Sequence, residues 1–202
     1  MRRVVVGISG ASGAAYGVHL LDVLRSAPDV ETHAIVSPGA ERTLRHELDL
    51  SASAVEQMAT RRHHDADVGA AVASGTYPVH AMVVAPCSIR TLGAIASCQA
   101  DSLITRAADV CLKERRRLVL VVRETPLHLG HLRLMTAVTE AGAVIMPPVP
   151  AWYARPRAVA DIVEHTVLKI CDLIGVDTDI APRWTGLDPD PSCDQPADRR
   201  NP

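Results

Sequence analysis

The sequence predicts an α/β fold, a doubly wound parallel sheet in a three-layer sandwich. Short apolar runs recur at Val4–Ile8, Thr32–Val36, Ala81–Ala85, Leu118–Val122 and Ala143–Met146. Ala81–Ala85 and Leu118–Val122 are apolar throughout, as in a sheet covered on both faces. Segments of helical periodicity separate the runs, and several runs end in turns rich in Gly, Ser or Pro. Strands alternating with helices in this way give a flavodoxin-like or Rossmann-like architecture.

The first run leads into Gly7-Ile8-Ser9-Gly10-Ala11-Ser12-Gly13, after which Val18, Leu20, Leu21 and Leu24 follow helical spacing. Such a strand–turn–helix gathers unpaired backbone N–H groups and the positive end of a helix dipole, which suits a phosphate. The glycines let the backbone approach the anion, and the Ser9 and Ser12 hydroxyls add donors. The stretch also fits a tight βα connection with no ligand. The second strand, Thr32–Val36, ends at Ser37-Pro38-Gly39. An NAD-binding domain places an acidic residue at that point for the ribose hydroxyls, whereas Ser37 stands here and Glu31 precedes the strand. The glycines are also spaced Gly-x-x-Gly-x-x-Gly rather than Gly-x-Gly-x-x-Gly. A dinucleotide is disfavoured; a mononucleotide phosphate stays open.

Residues 38–75 read as helices with a polar interruption. His63-His64-Asp65-Ala66-Asp67 reads as a solvated helix start capped by Asp65 or Asp67 rather than as metal ligands, since adjacent residues point apart and no second cluster completes a site. Glu47 is indistinguishable from a surface carboxylate. After Ala81–Ala85, Pro86-Cys87-Ser88 turns into a helix beginning Ile89-Arg90-Thr91-Leu92, a second turn with hydroxyls and a cation. Cys87 reads as a small, half-buried turn residue rather than a nucleophile.

The next helix, Asp101 to about Arg116, puts Leu103, Ile104, Ala107, Ala108, Cys111 and Leu112 on its core side. Arg106, Asp109 and Lys113 stack along one flank over about 10 Å. That flank either holds a dianion or is a solvated face with Asp109 bridging the cations. Arg115-Arg116-Arg117 end the helix, where cations favour the dipole. Leu118–Val122 ends at Arg123-Glu124-Thr125-Pro126, and Ala143–Met146 at Pro147-Pro148-Val149-Pro150. The last helix, Val159 to about Ile174, has the apolar stripe Ile162, Val163, Thr166, Ile170 and Leu173. Lys169 lies at its edge, either snorkelling or facing an anion. The domain spans 1–186, and the proline- and charge-rich residues 187–202 read as a disordered tail.

A net charge of −2 argues against nucleic acid or an anionic membrane surface as partner. No apolar run reaches the ~18 residues of a membrane span, and the N-terminus enters a strand directly, so no signal peptide is read. The five cysteines, odd in number and never in Cys-x-x-Cys, fit reduced cytoplasmic thiols better than disulfides or zinc.

In a doubly wound sheet, ligands bind where the carboxyl ends of the strands open. Those ends carry Ser9, Gly10 and Ser12, then Ser37, then Ser88, Arg90 and Thr91, then Arg123 and Glu124. A hydroxyl-rich rim with fixed cations and an acid suits a phosphorylated ligand plus a proton-transfer step. No Asp-Asp-x-x-Asp cluster is present for magnesium, so phosphate chemistry would rely on Arg and Lys, without metal.

Five stretches together resemble the UbiX-type flavin prenyltransferases, among them the small protein that accompanies hydroxyarylic acid decarboxylases. They are Gly7–Gly13, Ala85–Ser88, Arg106–Arg116, Val122–Leu129 and Pro147–Tyr153; the likeness runs from about residue 1 to Trp184. The resemblance implies that reduced FMN and dimethylallyl monophosphate combine: flavin N5 takes the prenyl carbon as phosphate leaves, and C6 attacks the other end. It implies a product, prenylated FMN, that serves a UbiD-type decarboxylase, and a homododecamer with active sites at subunit interfaces. By matched position, Gly10, Ala11, Ser12, Ser37, Ser88, Ile89, Arg90, Thr91 and Arg123 look like the FMN site. Tyr153 and Lys169 match the prenyl-phosphate site, with Arg106 and Lys113 completing its clamp and Trp184 helping to cover it. Ser12 and Glu124 look like the proton-handling pair, and Glu47 matches a further catalytic acid. Position 169 is usually arginine in the family, and lysine lacks the bidentate fork. Trp152 stands where Phe is common, and Ala154 replaces a frequent His.

Two other readings compete. A flavin-dependent cysteine decarboxylase on a related fold would carry an Asn-rich substrate loop, but the sole Asn is Asn201. A non-catalytic FMN carrier would explain the rim and leave Lys113, Tyr153 and Lys169 without a role.

Overall fold

The structure, a computed structural model, describes residues 1–186; the predicted tail 187–202 lies outside the described residues. Six parallel strands form one sheet: β1 (Arg2–Ile8), β2 (Val30–Val36), β3 (Arg61–His64), β4 (Ala81–Cys87), β5 (Arg117–Val122) and β6 (Val144–Ile145). Their spatial order is β3-β2-β1-β4-β5-β6. Helices α1 (Ala14–Arg25), α2 (Pro38–Leu48), α3 (Ala52–Glu56), α4 (Ile89–Ala96), α5 (Leu103–Lys113), α6 (Leu129–Glu140) and α7 (Val159–Ile174) lie among them. The chain winds one way from β1 to β3 and the other way from β4 to β6. This opens a crevice at the carboxyl ends of β1 and β4.

Alternate strand residues feed two cores. Val4, Val6 and Ile8 pack with Leu20, Leu21 and Leu24 of α1 and with Val163, Val167 and Ile170 of α7. Val5, Ile35, Met82 and Leu120 pack with Leu92 of α4, with Leu103, Ile104 and Ala107 of α5, and with Val138 of α6. Each such side chain removed from water contributes roughly 1.5–3 kcal/mol. These faces therefore hold α1 and α7 on one side of the sheet and α4, α5 and α6 on the other.

Four local readings are corrected. Arg61–His64 is an edge strand paired with β2 (His33 beside Arg61), not part of a helical stretch. An edge strand needs no apolar alternation, and charge there guards against further pairing. Asp65 does cap a helix, but a distant one: its Oδ1 accepts from Ile104 N at 3.0 Å, at the start of α5. Glu31 lies inside β2 and is buried, with Arg3 Nε 3.0 Å away. Finally, α5 stops at Lys113; Arg115 is left-handed (φ 56°) and Arg117 begins β5. Helix α6 has no counterpart among the predicted elements; its core-facing side is short, with Leu134 and Met135 partly buried beside Val138, its one buried residue.

At the β2–β3 edge His33 is buried. Its Nδ1 lies 2.8 Å from His63 Nε2, with Glu31 3.6 Å from its other nitrogen and Tyr77 packed edge-on. Burial, helped by the charges of His63, Arg3 and Arg61 and opposed by Glu31, lowers its pKa to about 4. The fold thus holds the neutral imidazole. Its contribution is complete above the ordinary value near 6.5 and is lost as pH falls from there toward 4, on the order of 3 kcal/mol in all. The His33 ring-carbon NMR shifts should therefore stay constant between pH 8 and 5.5; a titration centred near 6.5 would contradict the assignment.

Candidate active site

The turn after β1 is tied to the turn after β4. Ser9 is buried; its Oγ donates to Pro86 O (2.9 Å) and accepts from Ser88 N (2.8 Å). Its hydroxyl is thus not a free donor on the rim, contrary to the sequence expectation. Ala11 closes the same turn, its N–H on Ser9 O at 2.9 Å. Gly10 must be glycine for a packing reason: a Cβ there would sit 2.9 Å from Gly39 Cα, at the start of α2.

The start of α1 is also not where an anion sits. Gly13 N and Ala14 N donate to Glu47 Oε2 at 2.9 and 3.0 Å, so the carboxylate from α2 already fills that helix end. Burial would raise the Glu47 carboxyl. The Ser12 hydroxyl, the two amides and the Arg123 charge outweigh it and hold the group below its ordinary value. Ser12, Glu47 and Arg123 therefore form one charged cluster, with Tyr16 also within the field of Arg123. Burial, only partly countered by that charge, pushes the Tyr16 phenol up. Glu124 follows Arg123 on the rim, exposed, its Oε1 accepting from Thr125 N at 3.0 Å.

Beside this cluster, a cleft of about 620 Å³ opens among the starts of α2, α4 and α5. Gly10, Ser37, Ser88, Arg90 and Thr91 line it, so five of the nine residues expected for FMN share one cavity wall. Ser37 and Ser88 are helix N-caps, their Oγ atoms accepting from Ala40 N (3.1 Å) and Thr91 N (3.2 Å). Ile89 is the first residue of α4 and packs partly into the core. Sequence reading missed Arg42, Asp65, Gln99 and Ser102, which line the same cleft. Only the topology brings β3 and the start of α5 to this rim.

The prenyl-side residues group differently. Tyr153 OH lies 3.1 Å from His165 Nε2, and its ring meets Trp184 edge-on with centroids 5.2 Å apart. Lys169 is exposed one turn beyond His165 on α7, off the buried stripe. His165 was not singled out from sequence. Arg106 pairs with Asp109 at 2.8 Å on α5, but Asp109 does not bridge the two cations as expected, because Lys113 takes Glu114 instead. Lys113 pairs with Glu114 beside Gly75, at the far end of α5 from the cleft. Because α5 and α7 cover opposite faces of the sheet, one chain does not gather Arg106, Lys113 and Lys169 into a single clamp. Among the described residues no group of three or more metal-ligating side chains occurs, and no helix is long and apolar enough to cross a membrane.

Known proteins share this fold and much of this sequence. The flavoprotein family model matches residues 1–171, ending inside α7. The flavin prenyltransferase UbiX of Escherichia coli strain K12 is 53% identical over 188 residues, 92% of this chain and 100% of that protein. The crystal structure of AnUbiX (PadA1) in complex with FMN and dimethylallyl pyrophosphate superposes with a TM-score of 0.90 at 48% identity, covering 93% of this chain and 99% of that one. The dodecameric FMN-dependent UbiX-like decarboxylase from Escherichia coli O157:H7 gives 0.88 at 45% identity, with 92% and 100% covered. With about half its residues identical across the whole length of such relatives, the chain belongs to the UbiX flavin prenyltransferase family, within the flavoproteins.

Proposed function

We propose that this chain joins dimethylallyl monophosphate to reduced FMN, and that residues 1–186 form the catalytic unit. The observation that carries this reading is the convergence of Gly10, Ser37, Ser88, Arg90 and Thr91 on one cleft at the strand reversal. Their hydroxyls, the Arg90 guanidinium and the glycine fit a flavin mononucleotide: helix starts and the guanidinium meet its phosphate, and a bare backbone admits it closely. Bound reduced FMN supplies the nucleophilic N5 and C6.

The chain's own residues do the rest. Arg123, beside Ser12 and Glu47, orients the flavin end of the cleft. Ser12 and Glu124 hold and return the proton that ring closure releases. Tyr153 and Trp184 present ring faces to an allylic fragment carrying positive charge as its phosphate departs, and Lys169 pairs with that phosphate. Lys113 lies away from the rim of its own chain, so Arg106 and Lys113 serve the clamp of an adjoining copy. This accords with a homododecamer having sites at subunit interfaces. The product passes to a UbiD-type decarboxylase, and the enzyme works in the cytoplasm, in keeping with the free thiols of Cys87, Cys98, Cys111 and Cys171 among the described residues.

Purified protein given reduced FMN and dimethylallyl monophosphate without oxygen should yield a flavin heavier by one C5 unit. The pyrophosphate donor serves as the comparison. Unmodified FMN with both donors would contradict the reading; tight FMN binding without affinity for either donor would favour the carrier. Release of CO2 from a peptidyl cysteine would favour the decarboxylase.

A further inference from the structure

Arg42 stands on the second turn of α2 and lines the cleft together with Arg90 of α4. Both are exposed, and neither guanidinium is in an ion pair among the described residues; Glu41, the acid beside Arg42 in the chain, is matched with Arg45 at 3.5 Å instead. We propose that Arg42 binds the phosphate of FMN, sharing it with Arg90 between the starts of α2 and α4. This deepens, and rests on, the reading of the cleft as the FMN site.

The cleft is polarised. Three helix starts face it, capped by Ser37, Ser88 and Ser102. The start of α5 is already filled: beyond a serine cap like those of α2 and α4, Leu103 N donates to Asp65 O at 2.6 Å and Ile104 N to Asp65 Oδ1 at 3.0 Å. The buried Asp65 carboxylate and the adjacent Asp101 repel a second anion there. The start of α1 is closed in the same way by Glu47. At α2 and α4 the caps are neutral serines, and the charged side chains of these two helices that line the cleft, Arg42 and Arg90, are both cations. A phosphate dianion is thus driven to the α2–α4 side, where a guanidinium fork can meet two of its oxygens. Sequence reading passed over Arg42 because it lies five residues beyond Ser37, inside a helix, where an arginine looks like any solvated cation.

The test titrates FMN and riboflavin, which lacks the phosphate, into the full chain and its variants by flavin fluorescence. Arg42→Ala and Arg42→Gln should each raise the FMN Kd about tenfold, the low end for a charged hydrogen bond at an exposed site. Riboflavin affinity should not change, and the dependence of log Kd for FMN on log salt should become shallower. Arg42→Lys should recover part of the loss. An unchanged FMN Kd, or equal weakening of both flavins, overturns the proposal. Ser88→Ala separates the two levels. If it weakens FMN while Arg42→Ala does not, the Arg42 assignment fails and the cleft stands; if neither matters, the cleft itself is not the FMN site.

Discussion

Glu124→Gln is expected to bind FMN as tightly as the parent and to form prenylated flavin about 100–1,000-fold more slowly, the range lost when a positioned acid–base group is removed. Glutamine keeps the size of the side chain and an oxygen for Thr125 N, which now donates to Glu124 Oε1 at 3.0 Å. The turn after β5 should therefore stay in place with Arg123. What glutamine cannot do is take a proton and give it back. Single-turnover mass analysis under anaerobic conditions measures the rate, and a flavin titration measures affinity. Full activity would remove Glu124 from proton handling; a parallel loss of FMN binding would make it a structural residue of the rim.

Gly17→Ala should lower the melting temperature by roughly 6–12 °C, corresponding to about 3 kcal/mol of overpacking in a chain of this size. Gly17 is where α1 touches the sheet. A Cβ there would sit 2.2 Å from the Ala85 carbonyl oxygen of β4 and 2.9 Å from Ile8 side-chain carbons. Alanine gains up to about 1 kcal/mol of helix propensity over glycine, yet the clash is with backbone in a central strand and cannot be relieved by a rotamer change. The helix must lift, taking Leu20, Leu21 and Leu24 from their core. Thermal unfolding of both proteins in one buffer decides the matter, and an unchanged midpoint would refute the close contact. Because α1 carries Gly13 and Ala14 to Glu47, the same variant should also loosen the Ser12–Glu47–Arg123 cluster.

The strands that are apolar throughout, the last helix from Val159 to Ile174 and the hydroxyl-bearing turns at their ends were legible in the sequence. Each is a local pattern: a run of apolar residues, a stripe at helical spacing, a serine before a helix. From those, a doubly wound sheet and a rim of Ser37, Ser88, Arg90 and Arg123 follow without knowing any long-range contact. The edge strand β3 and helix α6 were not legible, since one is polar and mostly exposed and the other fully buries a single side chain. Nor could spacing say that Glu47, thirty-odd residues from Gly13, fills the end of α1, or that Asp65 fills the end of α5. Spacing also left Lys113 on one flank with Arg106, while the length of α5 carries it to the opposite end of the sheet. Chemistry-bearing residues and their turns are written along the chain. Which helix ends remain open to an anion depends on carboxylates brought from elsewhere, and only packing across the sheet decides that.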